Sequence, residues 1–247
     1  MFETRDLMGM PITVTVLDGA VGPGDIKEVF DYFTYIDNTF STYKTDSEIS
    51  RINKKEIIEE QYSVDMKTVL RLSEETKKIT NGYFDIQRVD GSYDPSGLVK
   101  GWAIYGAACI LKNKKFENFY IEAGGDIEAS GRNNQNENWR VGIRNPFNAK
   151  EVVKTIYLNN MGMATSGTYI RGQHIYNPHD RKNNLLDVVS ITVIGSNVYE
   201  ADRFATAAFA MGRKGISFIE TYPGLEGYMI GRDGIATMTS GFNNYVI

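Results

Sequence analysis

Over residues 10–17 apolar and polar side chains alternate, with Ile12, Val14 and Val16 set against Thr13 and Thr15. That period of two predicts a half-buried strand with Met8-Gly9 at its edge. The period then changes. Ile26, Val29, Phe30, Phe33, Ile36 and Phe40 recur at spacings of three and four from Asp25 onward, which predicts a helix with one face in the core. Ser63 reads as the N-cap of a second helix carried by Met66, Val69, Leu70 and Ile79 and closed by Asn81-Gly82. A third helix covers residues 98–111. The most strongly marked one covers residues 198–211, with Asn197 and Glu200 at capping spacing and Gly212 just past its end. Residues 119–121, 139–143, 152–158 and 188–194 read as strands, and two more near 228–230 and 245–247 close the sheet. Helices and strands therefore mix without the regular alternation of a parallel β-α-β protein. With no low-complexity linker, no solenoid repeat and 6 scattered prolines, one compact unit spanning residues 1–247 is the simplest organisation.

Composition narrows the function classes. The 247 residues are 42% hydrophobic and 23% charged, the balance of a globular protein with a real core, which excludes disordered and fibrous chains. Lys and Arg number 27 against 31 Asp and Glu, a formal net charge of -4. No global basic field recruits nucleic acid or an anionic membrane, so any polyanion must be met locally. The single cysteine, Cys109, lies in an apolar run; it has no intrachain disulfide partner and reads as a buried structural residue. The first residues contain no apolar signal core, and no window approaches the roughly 18 apolar residues of a membrane span. The expectation is a cytoplasmic chain as the sequence stands, periplasmic or membrane-anchored if an N-terminal leader has been removed, with no transmembrane segment.

Four clusters could carry chemistry. Asp202 and Thr206 lie four apart in the last helix and project from one face. Such a pair is either half of an oxygen-ligand site for a hard cation such as Mg²⁺ or a surface Asp beside a Thr bonded back to its own helix. The turn from Tyr93 through Asp94, Pro95, Ser96 and Gly97 to Lys100 and Gly101 feeds directly into a helix. It is a phosphate cradle with Lys100 adding charge, or an ordinary helix entry. Gly124-Gly125-Asp126 follows a strand and permits close approach of a ligand to the backbone, or is a plain hairpin turn. The two histidines, His174 and His179, are the obvious candidates for a base titrating near neutrality. They lack the helical zinc-pair spacing, and His174 is alternatively a satisfied loop residue. Ser166 lacks the G-x-S-x-G elbow of a serine hydrolase.

In order, these clusters resemble the ApbE family of FAD:protein FMN transferases across nearly the whole chain. The likeness is carried by Met8-Gly9-Met10, the stretch from Ser41-Thr42-Tyr43 to Asn53, Gly82-Tyr83-Phe84-Asp85-Ile86, the turn from Asp94 to Gly101, Gly124-Gly125-Asp126, Ala164-Thr165-Ser166-Gly167, His174-Ile175-Tyr176-Asn177-Pro178 and Ala201-Asp202-Arg203-Phe204-Ala205-Thr206. The chain departs from the common family pattern after Ile86, where it has Gln87-Arg88-Val89-Asp90-Gly91, and after Pro178, where Asp180-Arg181-Lys182 stands. The resemblance implies an α+β fold of mixed, largely antiparallel sheets packed with helices, T-fold-like. It also implies Mg²⁺-dependent transfer of FMN from FAD, as substrate, to a Ser or Thr of an acceptor flavoprotein with release of AMP. It assigns the metal to Asp202, Thr206 and the Gly97 carbonyl. FAD contacts fall on Met8, Tyr43, Phe84, Asp85, Ile86, Asp94, Lys100 and Ile175, and the general base on His174. Alternatives are an FAD pyrophosphatase giving AMP and FMN, or a non-catalytic FAD-binding protein. Tyr43 is otherwise an ordinary core tyrosine.

Overall fold

The alternation around Ile12 forms a strand because its apolar side has a core to face, and the chain before it pairs with it. In the computed structural model, which describes residues 1–168, 175–180 and 187–247, β1 (Phe2–Leu7) and β2 (Met10–Val16) make an antiparallel hairpin. Met8 and Gly9, both at positive φ, are its two-residue turn, as the twist of a tight hairpin demands. Met8-Gly9 is thus a turn and not the expected edge. β1 carries little apolar signal because it is an outer strand with no buried residue.

Helices α1 (Pro23–Phe40), α2 (Glu48–Asn53), α3 (Val64–Ile79) and α4 (Ser96–Asn113) follow. Ser63 caps α3 by accepting the Met66 N–H at 3.1 Å, and Asn81 and Gly82 leave the helix at positive φ. Then come β3 (Phe119–Ala123), β4 (Asp126–Ser130), β5 (Trp139–Asn145), β6 (Asn148–Leu158), β7 (Met161–Gly167), β8 (Val188–Gly195), α5 (Val198–Ala210), α6 (Gly215–Thr221), β9 (Glu226–Gly231) and β10 (Ala236–Met238). Among the described residues, eight strands form one sheet in the order β1-β2-β3-β4-β7-β8-β9-β10, and β5-β6 form a separate two-stranded sheet. The pairings between these strands are antiparallel. The fold is α+β, a large antiparallel sheet packed with helices.

The two faces of the sheet are covered differently. On one, Ile12, Val14, Phe119 and Ile121 meet α1, α3 and α4, and Ile191, Val193 and Met229 meet α5 and α6. On the other, Ile127, Ala129, Met163, Ile194 and Ile230 meet the β5-β6 hairpin through Val141, Ile143, Ile156 and Leu158. Fully buried side chains such as Phe30, Phe33 and Phe119 each contribute about 1.5–3 kcal/mol of hydrophobic stabilisation.

Some expectations change. Residues 245–247 do not close the large sheet: Phe242–Tyr245 is a 3₁₀ turn, and Val246 bridges to Ile156 of the hairpin instead. Cys109 is half-buried rather than enclosed. β7 gives no strand signal because its small residues serve close packing. A Cβ on Gly162 would sit 1.9 Å from the Val198 nitrogen, so α5 docks against bare backbone. Among the described residues no helix is long and apolar enough to cross a membrane.

Candidate functional site

Helices α4 and α5 cross in contact, and the crossing is built on glycine. A Cβ on Gly101 would lie 2.6 Å from the Asp202 Cβ, and one on Gly97 would lie 2.9 Å from Thr206 Cγ2. Two glycines on α4 therefore let the carboxylate and hydroxyl of α5 reach the α4 backbone. The Gly101 N–H, whose helical partner by position is the Gly97 carbonyl, donates to Asp202 Oδ2 at 2.8 Å. The Gly97 carbonyl accepts from Thr206 Oγ1 at 3.2 Å. Ser166 Oγ of β7 lies 3.4 Å from the same hydroxyl.

Asp202 is 4% exposed, which removes its reading as a surface aspartate, and Thr206 reaches across to α4 as well as lying on its own helix. Burial holds the Asp202 carboxyl above the ordinary carboxylate range; Lys100 opposes this and the neighbouring Asp126 adds to it. Lys100 Nζ lies 2.6 Å from Asp126 Oδ2 and 4.0 Å from Asp202 Oδ1. Two carboxylates thus face one ammonium, an arrangement that favours a further cation. The donors are a carboxylate, a hydroxyl and a backbone carbonyl, all hard oxygen, which fits Mg²⁺ rather than a thiolate- or imidazole-seeking metal. No cluster of three or more His, Cys, Asp or Glu is present among the described residues, so such a cation depends on the hydroxyl and the carbonyl.

Three devices fix α5 in place. Asn197 caps it by accepting the Glu200 N–H at 3.0 Å, and the buried Glu128 carboxyl of β4 accepts the Val198 N–H at 2.7 Å at the helix N-terminus. Arg203, stacked on Tyr199 and Phe204, holds Glu200 at 2.6 Å and donates to Thr76 Oγ1 of α3 at 3.0 Å.

A cavity of 480 Å³ opens over this crossing. Of the sequence-assigned residues, it brings together Tyr43, Phe84, Asp85, Ile86, Asp94, Gly97, Lys100, Ile175, Asp202 and Thr206. Phe84 is buried, its N–H donating to Thr80 Oγ1 at 3.0 Å, while Asp85 pairs with Lys77 at 2.8 Å. Asp94 is paired with Arg88, and its Oδ1 accepts the Ser96 N–H at 3.2 Å at the start of α4. Tyr43 is 96% exposed, so it is no core tyrosine; it stands at the rim with an open ring face. Met8 is not brought in: it sits in the β1-β2 turn, outside the cavity lining. His174 lies outside the described residues. His179 is exposed and docks on the end of α3, its Nε2 2.8 Å from the Asn81 carbonyl and its ring against Tyr83.

Sequence reasoning assigned no role to Asp126, Arg88 or Ser166 at this site. Asp126 had a signal: Gly124 and Gly125 both take positive φ in the β3-β4 turn, and the carboxylate that follows opens a strand instead of ending one.

Comparison with known proteins gives one direction. The family model for the ApbE family matches residues 8–90 and 87–229. A curated FAD:protein FMN transferase from Vibrio cholerae is 32% identical over 130 residues, 49% of this chain and 39% of that protein. One from Haemophilus influenzae is 31% identical over 159 residues, 60% of this chain and 46% of that protein. In both cases the match spans less than half of the relative's length. The solved structure of the flavin transferase ApbE from Vibrio cholerae superimposes with a TM-score of 0.87 over 99% of this chain and 98% of that one, at 22% identity, a likeness of fold.

Proposed function

Because the chain belongs to the ApbE family, we propose that it acts as one unit over its whole length and transfers FMN from FAD to a Ser or Thr hydroxyl of an acceptor flavoprotein, releasing AMP. The observation that carries this reading is the α4-α5 crossing, where Asp202, Thr206 and the Gly97 carbonyl converge at one cavity with Lys100 beside them. Those three groups would hold Mg²⁺. When bound, the cation neutralises charge on the pyrophosphate and on the departing AMP, the main demand of phosphoryl transfer.

The remaining roles fall to the chain's own groups. Tyr43 offers a ring face for flavin or adenine, and Phe84 and Ile86 supply apolar wall. Lys100 adds positive charge near the phosphates. The acceptor hydroxyl oxygen attacks the phosphorus of the FMN half, the bond from that phosphorus to the AMP oxygen breaks, and the hydroxyl proton passes to His174. A positioned imidazole supplies roughly 10²–10⁴-fold in such a step.

Incubation with FAD, Mg²⁺ and an acceptor flavoprotein gives a flavin-fluorescent acceptor band that survives denaturation, with a mass gain of one FMN. Chelation of the cation abolishes it. Formation of AMP and free FMN with unmodified acceptor would assign the chain as an FAD pyrophosphatase, and recovery of intact FAD would leave it a flavin-binding protein.

A further inference from the structure

Asp126 is fully buried, and its two oxygens are divided between tasks. Oδ1 accepts the Thr165 N–H of β7 at 3.1 Å, which fixes the carboxylate to the sheet. Oδ2 meets Lys100 Nζ at 2.6 Å. That ammonium is also 4.0 Å from Asp202 Oδ1, and its side chain is only 16% exposed. One half-buried ammonium thus lies beside two buried carboxylates, and the nearer one is not the carboxylate assigned to the cation. An ammonium largely withdrawn from water keeps a counter-charge. With the Asp126 charge gone, the carboxylate left beside the ammonium among the described residues is Asp202, 4.0 Å from Nζ.

We propose that Asp126 is a positioning residue for the cation site: by binding Lys100 it keeps the ammonium off Asp202 and leaves that carboxylate available to a divalent cation. This rests on the reading of Asp202, Thr206 and the Gly97 carbonyl as cation ligands. It adds a residue outside the three proposed ligands, acting through Lys100. The fixed Oδ1 contact matters, because a carboxylate pinned to β7 cannot follow the lysine toward α5.

The test uses Mn²⁺ alone with the full chain, its free concentration followed by electron paramagnetic resonance, without FAD or acceptor. Asp126→Asn retains an oxygen for the Thr165 N–H and loses the charge. It weakens Mn²⁺ binding about tenfold, a coupling typical of groups in direct contact. In a Lys100→Met background the same substitution changes the affinity by no more than about twofold, the scatter of independent sites. If Asp126→Asn alone does not fold, the comparison of Lys100→Met with Lys100→Met/Asp126→Asn still decides, since replacing a buried ion pair whole is commonly tolerated. An unchanged affinity in Asp126→Asn overturns the proposal. So does an equal loss in both backgrounds, which would mean that Asp126 acts by its own field and not through Lys100. Failure of the unaltered chain to bind Mn²⁺ would overturn the cation site itself, an outcome distinct from either of these.

Discussion

Strand β4 has two buried faces made of opposite materials. Toward the β5-β6 hairpin it presents Ile127 and Ala129, which meet Val141, Ile143, Ile156 and Phe242. Toward α4 and α5 it presents Asp126 and Glu128, exposed to 0% and 1%. On the neighbouring strand β3 the helix-facing positions paired with them are Ala123 and Ile121, so apolar residues fit this layer. Burying a carboxylate costs several kcal/mol before its partners repay part of it. One face of β4 therefore stabilises the fold, and the other spends stability to hold charge beside the α4-α5 crossing. Buried charge retained at such a cost is where function is to be sought.

The sharpest way to break this contrast is at the crossing itself. Asp202→Ala removes the one carboxylate among the proposed cation ligands and reduces Mg²⁺-dependent FMN transfer at least about 10²-fold, the loss seen on deleting one strong electrostatic stabiliser. Transfer assays over a Mg²⁺ titration check it, and full cation-dependent turnover in the variant would exclude Asp202 from the site. The opposite face gives the reverse pattern. Ile127→Ala opens a cavity under the hairpin and costs about 2–5 kcal/mol of stability by denaturant unfolding, while Mn²⁺ affinity of the folded protein is unchanged. A variant that lost cation affinity as well would show that the two faces are not separable.

Glu128 sharpens the comparison through pH. Burial raises its carboxyl from 4.5 to about 7, against the pull of the Val198 N–H and Lys112. The folded chain keeps this proton up to about pH 7 while the unfolded chain loses it near 4.5. The folded state therefore binds more protons in that window, and stability falls as pH rises through it, levelling above 7. Fully ionised, the group costs roughly 3 kcal/mol. Glu128→Gln keeps an oxygen for the Val198 N–H and abolishes the titration. Its unfolding free energy matches that of the unaltered chain near pH 4 and exceeds it increasingly toward pH 8. Parallel curves for the two proteins would show that Glu128 is ionised in the folded state throughout.

The same contrast explains what was legible in the sequence. The apolar repeats of α1 and α3 and the alternation of β2 were readable because each buries one continuous stripe, and α5, buried nearly all round, was readable from its capping residues; the structure finds all four within one or two residues. β4 and β7 were not read as strands. β4 alternates, but its polar phase is buried, so a reading that assigns polar residues to water finds no core face there. β7 is made of small and hydroxyl residues whose value is how near they let α5 approach, a property of the partner helix and not of the segment. β1 and α2 are short and carry little apolar pattern of their own. At the site, Asp202, Thr206 and Gly97 could be named from family-like order, but the Lys100–Asp126 contact joins residues on α4 and β4 and has no local signature. Met8 illustrates the converse: its motif is recognisable, yet its backbone conformation serves a hairpin turn away from the cavity lining.

Tyr43 carries the smallest expected effect and separates substrate contact from packing most cleanly. Its ring is 96% exposed, so truncation removes almost no buried area, and Tyr43→Ala shifts unfolding by less than about 0.5 kcal/mol, as at other surface positions. If the ring covers the flavin or adenine, it adds about 0.5–1.5 kcal/mol of aromatic contact, and the variant binds FAD roughly two- to thirteenfold more weakly. Tyr43→Phe retains the ring face and binds as the unaltered chain does. Titration by quenching of flavin fluorescence, alongside thermal melts, reads both quantities on the same samples. Equal FAD affinity in all three proteins would remove Tyr43 from the substrate site and leave the buried side of the cavity, from Phe84 to Asp202, to hold the dinucleotide alone.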